Sequence, residues 1–471
     1  MPGPFPYFVF YLWIPISAIL FSQKKPREAA FIVVIWGTLL LPEIIAVDPP
    51  ILPYIDKHSL VCACAFVGLY LTSKRRWQRM QFLKGMQLFF VFLALCNVGT
   101  AFTNPETFIY GGLPYWPDWE ESPIAPVLVI PALTPKEFIP MGIDDFFKFL
   151  MPFAVGQMLI QSREDAVSFF KSYAISALIY MPLMLWEGIA SPLTHFKVYG
   201  YFSLPMGHNI RGDGFKPVVF TCSGLGLVML QYVALTGAIA LHRVRESVHI
   251  AIPAFLAVIA IAFNIAVARS VGVLFYVAAT IPLAMFMGAR LMTRVAWVLV
   301  VIFLTFPITR AKDWFPADEI IAYTEAQNPQ RAQSLGMRFD NEEMLIEHTA
   351  KKPYFGWGSY GRNRIYDPRT GQDISVTDGE WAIHYSVRGA FGVISWFWLM
   401  ALPVLWGCRF IKRVTDPDDR VILGIMTLTA AVNAADLLPN SSFTKVPILY
   451  AGMLTGFLQY LSVKYRQPGK G

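Results

Sequence analysis

The residues best suited to chemistry lie in one polar run near the C-terminus, Lys351 to Gly392, KKPYFGWGSYGRNRIYDPRTGQDISVTDGEWAIHYSVRGAFG. Asp378, Glu380 and His384 are its candidate catalytic groups, because a carboxylate or imidazole can take the proton from a sugar hydroxyl. Glu380, His384 and Arg388 recur every four residues and share one face if the segment is helical. Asp378 then stands at the helix start, where the helix dipole favours a carboxylate. The simpler alternative is that Asp378 only caps that helix, with Glu380 in its first turn. Upstream, Gly356, Trp357, Gly358 and Gly361 with Tyr354, Phe355 and Tyr360 make a turn. Either its backbone approaches a ligand and its aromatic faces pack on sugar or apolar groups, or it is a tight surface loop entering a helix.

Cations at three other places suit an anionic substrate. Arg211, in YGYFSLPMGHNIRGDGFKPVVF, stands before an apolar helix among His208, Asn209, Asp213 and Lys216. Arg211 and Lys216 at a helix mouth suit a phosphate or diphosphate, which a guanidinium grips in bidentate fashion; the alternative for Arg211 is an interfacial anchor at the headgroups. Arg269, in FNIAVARSVGVLF, separates two apolar helices with almost no loop, and a cation there is costly unless it faces a cavity or a partner. Arg338, in SLGMRFDNEEML, is the last. Asp144 with Asp145, and Asp118 with Glu120, have acidic spacings that suit a divalent ion beside a diphosphate, but they read more simply as a helix start and a solvated loop. No metal site is therefore expected. Without a Walker sequence, GxGxxG or nucleophile elbow, neither a nucleotide site nor a cofactor is expected.

These residues sit in a chain of 471 residues that is 55% hydrophobic and only 15% charged, with mean hydropathy +0.48. That composition excludes a multidomain soluble protein and implies an all-α polytopic membrane protein. The net charge of +7 does not imply a nucleic-acid partner, because the basic residues fall in short connections between apolar runs. The five cysteines lie in or beside apolar segments without ligand spacing, and read as small core residues. The first apolar run, from Phe5, lacks a basic lead and a cleavage site, and reads as a retained helix.

Apolar runs long enough to be spanning candidates begin at Phe5, Ala29, Leu60, Met86, Asp145, Val167, Val218, Val248, Val271, Val295, Gly389, Val421 and Val446, giving about 12–13 transmembrane helices. The basic connections at 23–28, 73–84, 241–247, 288–294 and 408–413 and the C-terminal tail are expected on the cytoplasmic side. The acidic, proline-rich segment 104–142, the segment 191–217 and the long segment 310–388 then fall outside. The expected divisions are N-terminal helices over 1–103, an outer loop over 104–142, central helices with the outer arginines over 143–309, the long outer loop over 310–388, and C-terminal helices over 389–471. An amphipathic helix over Met337 to Ala350 structures the long loop, and structure in so long a loop is usually functional.

The order of these features resembles the O-antigen ligase and Wzy-type O-antigen polymerase superfamily of bacterial inner-membrane glycosyltransferases. It is carried by Arg211, Arg269, Arg338, the Pro353-Tyr-Phe-Gly-Trp-Gly358 turn and Gly389-Ala-Phe-Gly392, and covers the chain from about Arg211 onward. The resemblance implies a GT-C-like enzyme in the inner membrane with a long structured periplasmic loop. Its donor is an undecaprenyl-diphosphate-linked oligosaccharide, and it needs no nucleotide sugar and no obligatory metal. By the same resemblance, Arg211 and Arg269, with Lys216 beside them, hold the diphosphate, while Arg338 and the Gly356, Trp357, Gly358 turn position the donor or the loop. Ligases carry a histidine ahead of the G-x-x-G; here Asp378 followed by Gly379 stands in its place. That departure favours a polymerase, whose acceptor is a second lipid-linked repeat unit and for which a chain-length regulator is a candidate protein partner. An O-antigen ligase acting on lipid A-core, and a lipid-linked oligosaccharide flippase, are the alternatives.

Overall fold

The computed structural model describes residues 2–49, 53–116, 119–203, 209–211, 214–376, 378–441 and 444–466. Each apolar run expected from the sequence carries a helix. The N-terminal part holds α1 (Pro4–Gln23), α2 (Pro26–Leu40), α3 (Lys57–Thr72), the short α4 (Lys74–Gln78) and α5 (Gln87–Phe102). Next, α6 (Phe138–Asp145), a π-helical turn (Phe146–Leu150) and α7 (Met151–Leu159) follow one another without a break. The central part holds α8 (Arg163–Ala190), the short α9 (Thr194–Tyr199), α10 (Gly224–Arg243), α11 (Ala254–Val267), α12 (Val271–Phe286) and α13 (Ala289–Ala311). The long connection folds into α14 (Ala317–Gln327) and α15 (Pro329–Thr349), and the chain ends in α16 (Glu380–Phe410), α17 (Pro417–Asp436) and α18 (Val446–Lys464). Among the described residues the only sheets are three two-stranded ribbons.

The structure is thus an all-α membrane-type fold, and among the described residues six helices, α1, α8, α10, α13, α16 and α18, are long and apolar enough to cross a membrane. Four more apolar helices, α3, α5, α11 and α12, have 14 to 16 residues. At 1.5 Å per residue they extend roughly 21–24 Å, short of a hydrocarbon core about 30 Å thick. α10 is enclosed, with 94% of its apolar window buried, whereas α1 and α13 are at 28%. The apolar side chains that α1 and α13 leave exposed are those a bilayer would cover.

Without a hydrophobic force between helices in lipid, close contact depends on small residues. Gly452 and Gly456, four apart on α18, meet α7 at Phe153 and Ile160, and Gly156 of α7 meets Leu449. A Cβ on any of the three would overlap a backbone carbonyl oxygen of the other helix. Gly452→Leu is expected to force the helices apart and to lower the apparent unfolding temperature in detergent by more than any surface substitution on α18. An unchanged melting curve would contradict this packing.

The basic connections come together at one end of the bundle. Arg27 and Arg76 share Asp165 at the start of α8, Lys171 pairs with Glu246, and Arg163 and Lys464 share Asp419 at the start of α17. Arg243 at the end of α10 donates to the carbonyls of Ala284 and Met287 at the end of α12. The long connection docks on the opposite end.

Candidate functional site

The opposite end is organised by a break in α16. Gly389 has φ 62° and ψ −164°, a conformation essentially restricted to glycine, and it interrupts the helical ladder. The freed backbone is paired by the turn that precedes it in sequence. Trp357 and Gly358 N–H donate to the carbonyls of Ser386 and Val387, both at 2.9 Å, while Ala390 and Phe391 N–H donate to Pro353 and Tyr354 at 2.8 and 3.2 Å. Gly356 lies so close to Arg388 and Gly389 that a Cβ would overlap their backbone nitrogens. The close approach these glycines permit is therefore to α16. Trp357 is buried, stacks on His348 and donates Nε1–H to the His348 carbonyl at 3.1 Å.

Burial, reinforced by neighbouring Lys351, holds the His348 imidazole below its ordinary pKa. A depressed group contributes stability that is present above the unfolded pKa of about 6.5 and is lost as pH falls through the folded value. The apparent unfolding temperature is therefore expected to drop on acidification from pH 7 to 5. His348→Phe, which keeps the stack on Trp357, should flatten that slope; an identical slope in the variant would contradict the assignment.

Glu380, His384 and Arg388 do share a face, and it turns inward. His384 Nε2 lies 3.4 Å from Glu380 Oε1, and its ring packs between Phe149 and Trp396. Arg388 is ion-paired to buried Asp145 at the junction of α6 and the π-turn. Asn97 of α5 ties the pair together: its Nδ2 donates to Asp145 at 2.7 Å and its Oδ1 accepts from Arg388 at 3.3 Å. Asp144 spends its charge on Lys148 at 2.7 Å, so the acidic pair at this helix entrance is committed to cations of the protein. Asp118, of the other acidic pair, lies outside the described residues.

Asp378 occupies a different environment. Gly379, not Asp378, caps α16, and no side chain caps it. Asp378 Oδ2 instead lies 3.5 Å from Arg338 Nε, with both side chains partly exposed. They line a cleft of about 500 Å³ together with Phe306, Phe339, Glu342 and Pro439. Glu342 is held by Arg310 at 2.5 Å; burial pushes its carboxyl above the usual range while that hydrogen bond pulls it down.

A second cleft, about 360 Å³, opens at the start of α10 among Leu225, Gly226, Asn433, Asp436, Ser441 and Thr444. The turn after α17 walls both clefts, with Asp436 and Ser441 in one and Pro439 in the other. Asp436 accepts a hydrogen bond from Asn440 at 3.0 Å. Arg338 Nη1 also reaches the Pro439 carbonyl and Asn440 Oδ1, each at 3.4 Å.

Two buried side chains position Lys216 here. Glu187 accepts from Val218 and Val219 N–H at 2.9 and 2.7 Å, and Lys57, paired with Glu43 at 2.6 Å, donates to the Phe220 carbonyl at 2.8 Å. Lys216 then lays its methylenes on Gly224 in the first turn of α10. Just before it, the ribbon Ile210–Arg211 with Gly214–Phe215 receives Arg269, whose guanidinium lies against Gly214. Arg269 has φ 56°, a left-handed conformation that costs a non-glycine residue roughly 1–3 kcal/mol and tends to persist at functional sites. The side chain of Arg211, with His208 and Asp213, lies outside the described residues.

Arg338 and Asp378 thus line one cleft and Asp436 the one beside it, with Lys216 on the first turn of α10 and Arg269 on the ribbon before it, while Glu380, His384, Gly356, Trp357 and Gly358 build the broken start of α16. Sequence reasoning missed Asp436 and Asn97, and read Asp145 as half of an acidic pair at a helix start and not as the partner of Arg388. A carboxylate at the end of an apolar run, as in NAADLLPN, is the signal that pointed to Asp436. No protein-family model matches this chain, and no curated protein matches it either.

Proposed function

We propose that the chain is a Wzy-type polysaccharide polymerase of the bacterial inner membrane. It joins undecaprenyl-diphosphate-linked oligosaccharide repeat units at the periplasmic face, for an O-antigen, capsule or exopolysaccharide. The observation that carries the reading is that Arg338 with Asp378 and, across the turn after α17, Asp436 line two adjoining clefts, with Lys216 on the first turn of α10 and Arg269 on the ribbon before it, at the end opposite the basic connections. In the reaction an acceptor hydroxyl attacks the anomeric carbon of the donor. The new glycosidic bond forms as the bond from that carbon to the diphosphate oxygen breaks, and the electron pair leaves with the diphosphate. Fixed cations lower this barrier because charge develops on the leaving group. The hydroxyl proton passes to a carboxylate, for which Asp378 at the cleft is the candidate.

A ligase is disfavoured because His384 is sealed between Phe149 and Trp396. The interrupted α16, with charged residues inside, is the observation a transporter would use. Arg388 and Asp145 neutralise each other there, which argues against a charged path. The test is to supply purified protein with an undecaprenyl-diphosphate-linked repeat unit alone and resolve the lipid-linked glycans on a gel. A ladder is expected. Transfer only when lipid A-core is added would replace the polymerase reading with a ligase.

A further inference from the structure

The basic end of the bundle carries a third cleft, about 860 Å³, between the first turns of α13 and the last turns of α16. Arg290, Arg294, Arg409 and Lys412 line it together with Trp297 and Leu405, and no acidic residue does. Across it, Cys408 Sγ donates to the Thr293 carbonyl at 3.1 Å and ties the two helices together.

Several other cations at the same end are already paired with carboxylates. Arg27 and Arg76 share Asp165, Arg163 is ringed by Asp416, Asp418 and Asp419, and Lys171 has Glu246. Among the described residues, none of the four cleft cations is placed within ion-pair distance of a carboxylate.

Their position on the helices sharpens the contrast. α13 starts after Gly288 with no side-chain cap, so its first-turn N–H groups lack a side-chain acceptor and carry the positive end of the helix dipole. Arg290 and Arg294 add two like charges at i and i+4 to that same end. Both placements are unfavourable unless an anion is present.

We propose that this cleft binds the phosphate headgroup of an anionic membrane lipid. A lipid is favoured over a dissolved anion by what lies next along α13. Trp297, Val298, Val301 and Ile302 are exposed apolar side chains directly beyond the cations. They offer a surface for acyl chains below a headgroup, with the tryptophan at the level where indoles sit in an interface. The inference needs α13 to lie in the membrane and does not depend on the polymerase reading.

The test uses full-length purified protein in mild detergent, with phosphatidylglycerol, phosphatidylcholine or inorganic phosphate added at matched concentration. Thermal unfolding and the number of lipids retained in native mass spectrometry are read in parallel. Phosphatidylglycerol is expected to raise the unfolding temperature and to stay bound, while phosphatidylcholine and inorganic phosphate do neither. R290Q/R294Q and R409Q/K412Q should each weaken phosphatidylglycerol retention roughly thirtyfold, on the contribution of two cations near a membrane surface. K74Q/R75Q, which removes two exposed cations outside the cleft, should retain it as the native chain does. Should a double variant fail to fold, R294Q alone with lipid retention as the readout makes the same demand. Full retention in the cleft variants, an equal loss in K74Q/R75Q, or an equal shift with inorganic phosphate would each overturn the proposal.

Discussion

Arg269→Gln and Lys216→Gln are each expected to slow glycan transfer roughly 10²–10³-fold, the usual effect of removing one fixed group that stabilises charge developing in a transition state. Folding should be spared. Arg269 is exposed in a three-residue connection, and glutamine at 216 keeps the methylenes that cover Gly224. Arg211→Gln belongs in the same series, because its ribbon is the one Arg269 holds. Groups that stabilise one charge act as a unit, so the double variant should lose less than the product of the single losses. The check is the initial rate of lipid-linked product formation at equal amounts of monodisperse protein. Rates near that of the native chain in both single variants would remove the diphosphate from this end of the molecule.

Asp145→Ala is expected to destabilise the protein by about 3–5 kcal/mol, because it leaves Arg388 buried and unpaired. Asp145 is 1% exposed and Arg388 8% exposed, and Asn97 supplies only neutral groups in place of the lost carboxylate. The strut also joins the π-turn after α6 to the broken part of α16, so its loss acts on both. Replacing the pair together, Asp145→Leu with Arg388→Met, should recover most of the loss, since removing both charges leaves no uncompensated ion. Denaturation in detergent at constant lipid content measures both. A single variant as stable as the native chain would show that the pair is not buried as described; a double variant as unstable as the single one would put the cost in packing and not in charge.

The sequence expectations succeeded where hydropathy alone decides and failed where burial pairs one charge with another. α16 starts at Glu380, as the four-residue spacing of Glu380, His384 and Arg388 suggested, but that Asp145 and Asn97 pair with Arg388 was not legible, because they lie far away in the chain. α2 runs from Pro26, a proline suited to the first helical position, and stops at Leu40, ahead of Pro42. The apolar run continues past it, but as the edge of a ribbon at Ala46–Val47. The amphipathic pattern located α15, yet its beginning at Pro329 lies in a polar stretch that carries no periodic signal. The glycine and aromatic turn was recognisable as a turn. Its partner was not, because the break at Gly389 exists only once α16 has formed against it. Of the site, the cations were legible as costly charges beside apolar helices, whereas Asp436 has no spacing pattern to mark it.

The most direct test of the central claim is the stoichiometry of undecaprenyl diphosphate release by the purified, reconstituted protein supplied with a lipid-linked repeat unit. One undecaprenyl diphosphate is expected to be freed for each new glycosidic linkage, with Arg269→Gln slowing both together. Movement of intact lipid-linked glycan between leaflets, with neither release nor a new linkage, would contradict it and make the protein a transporter.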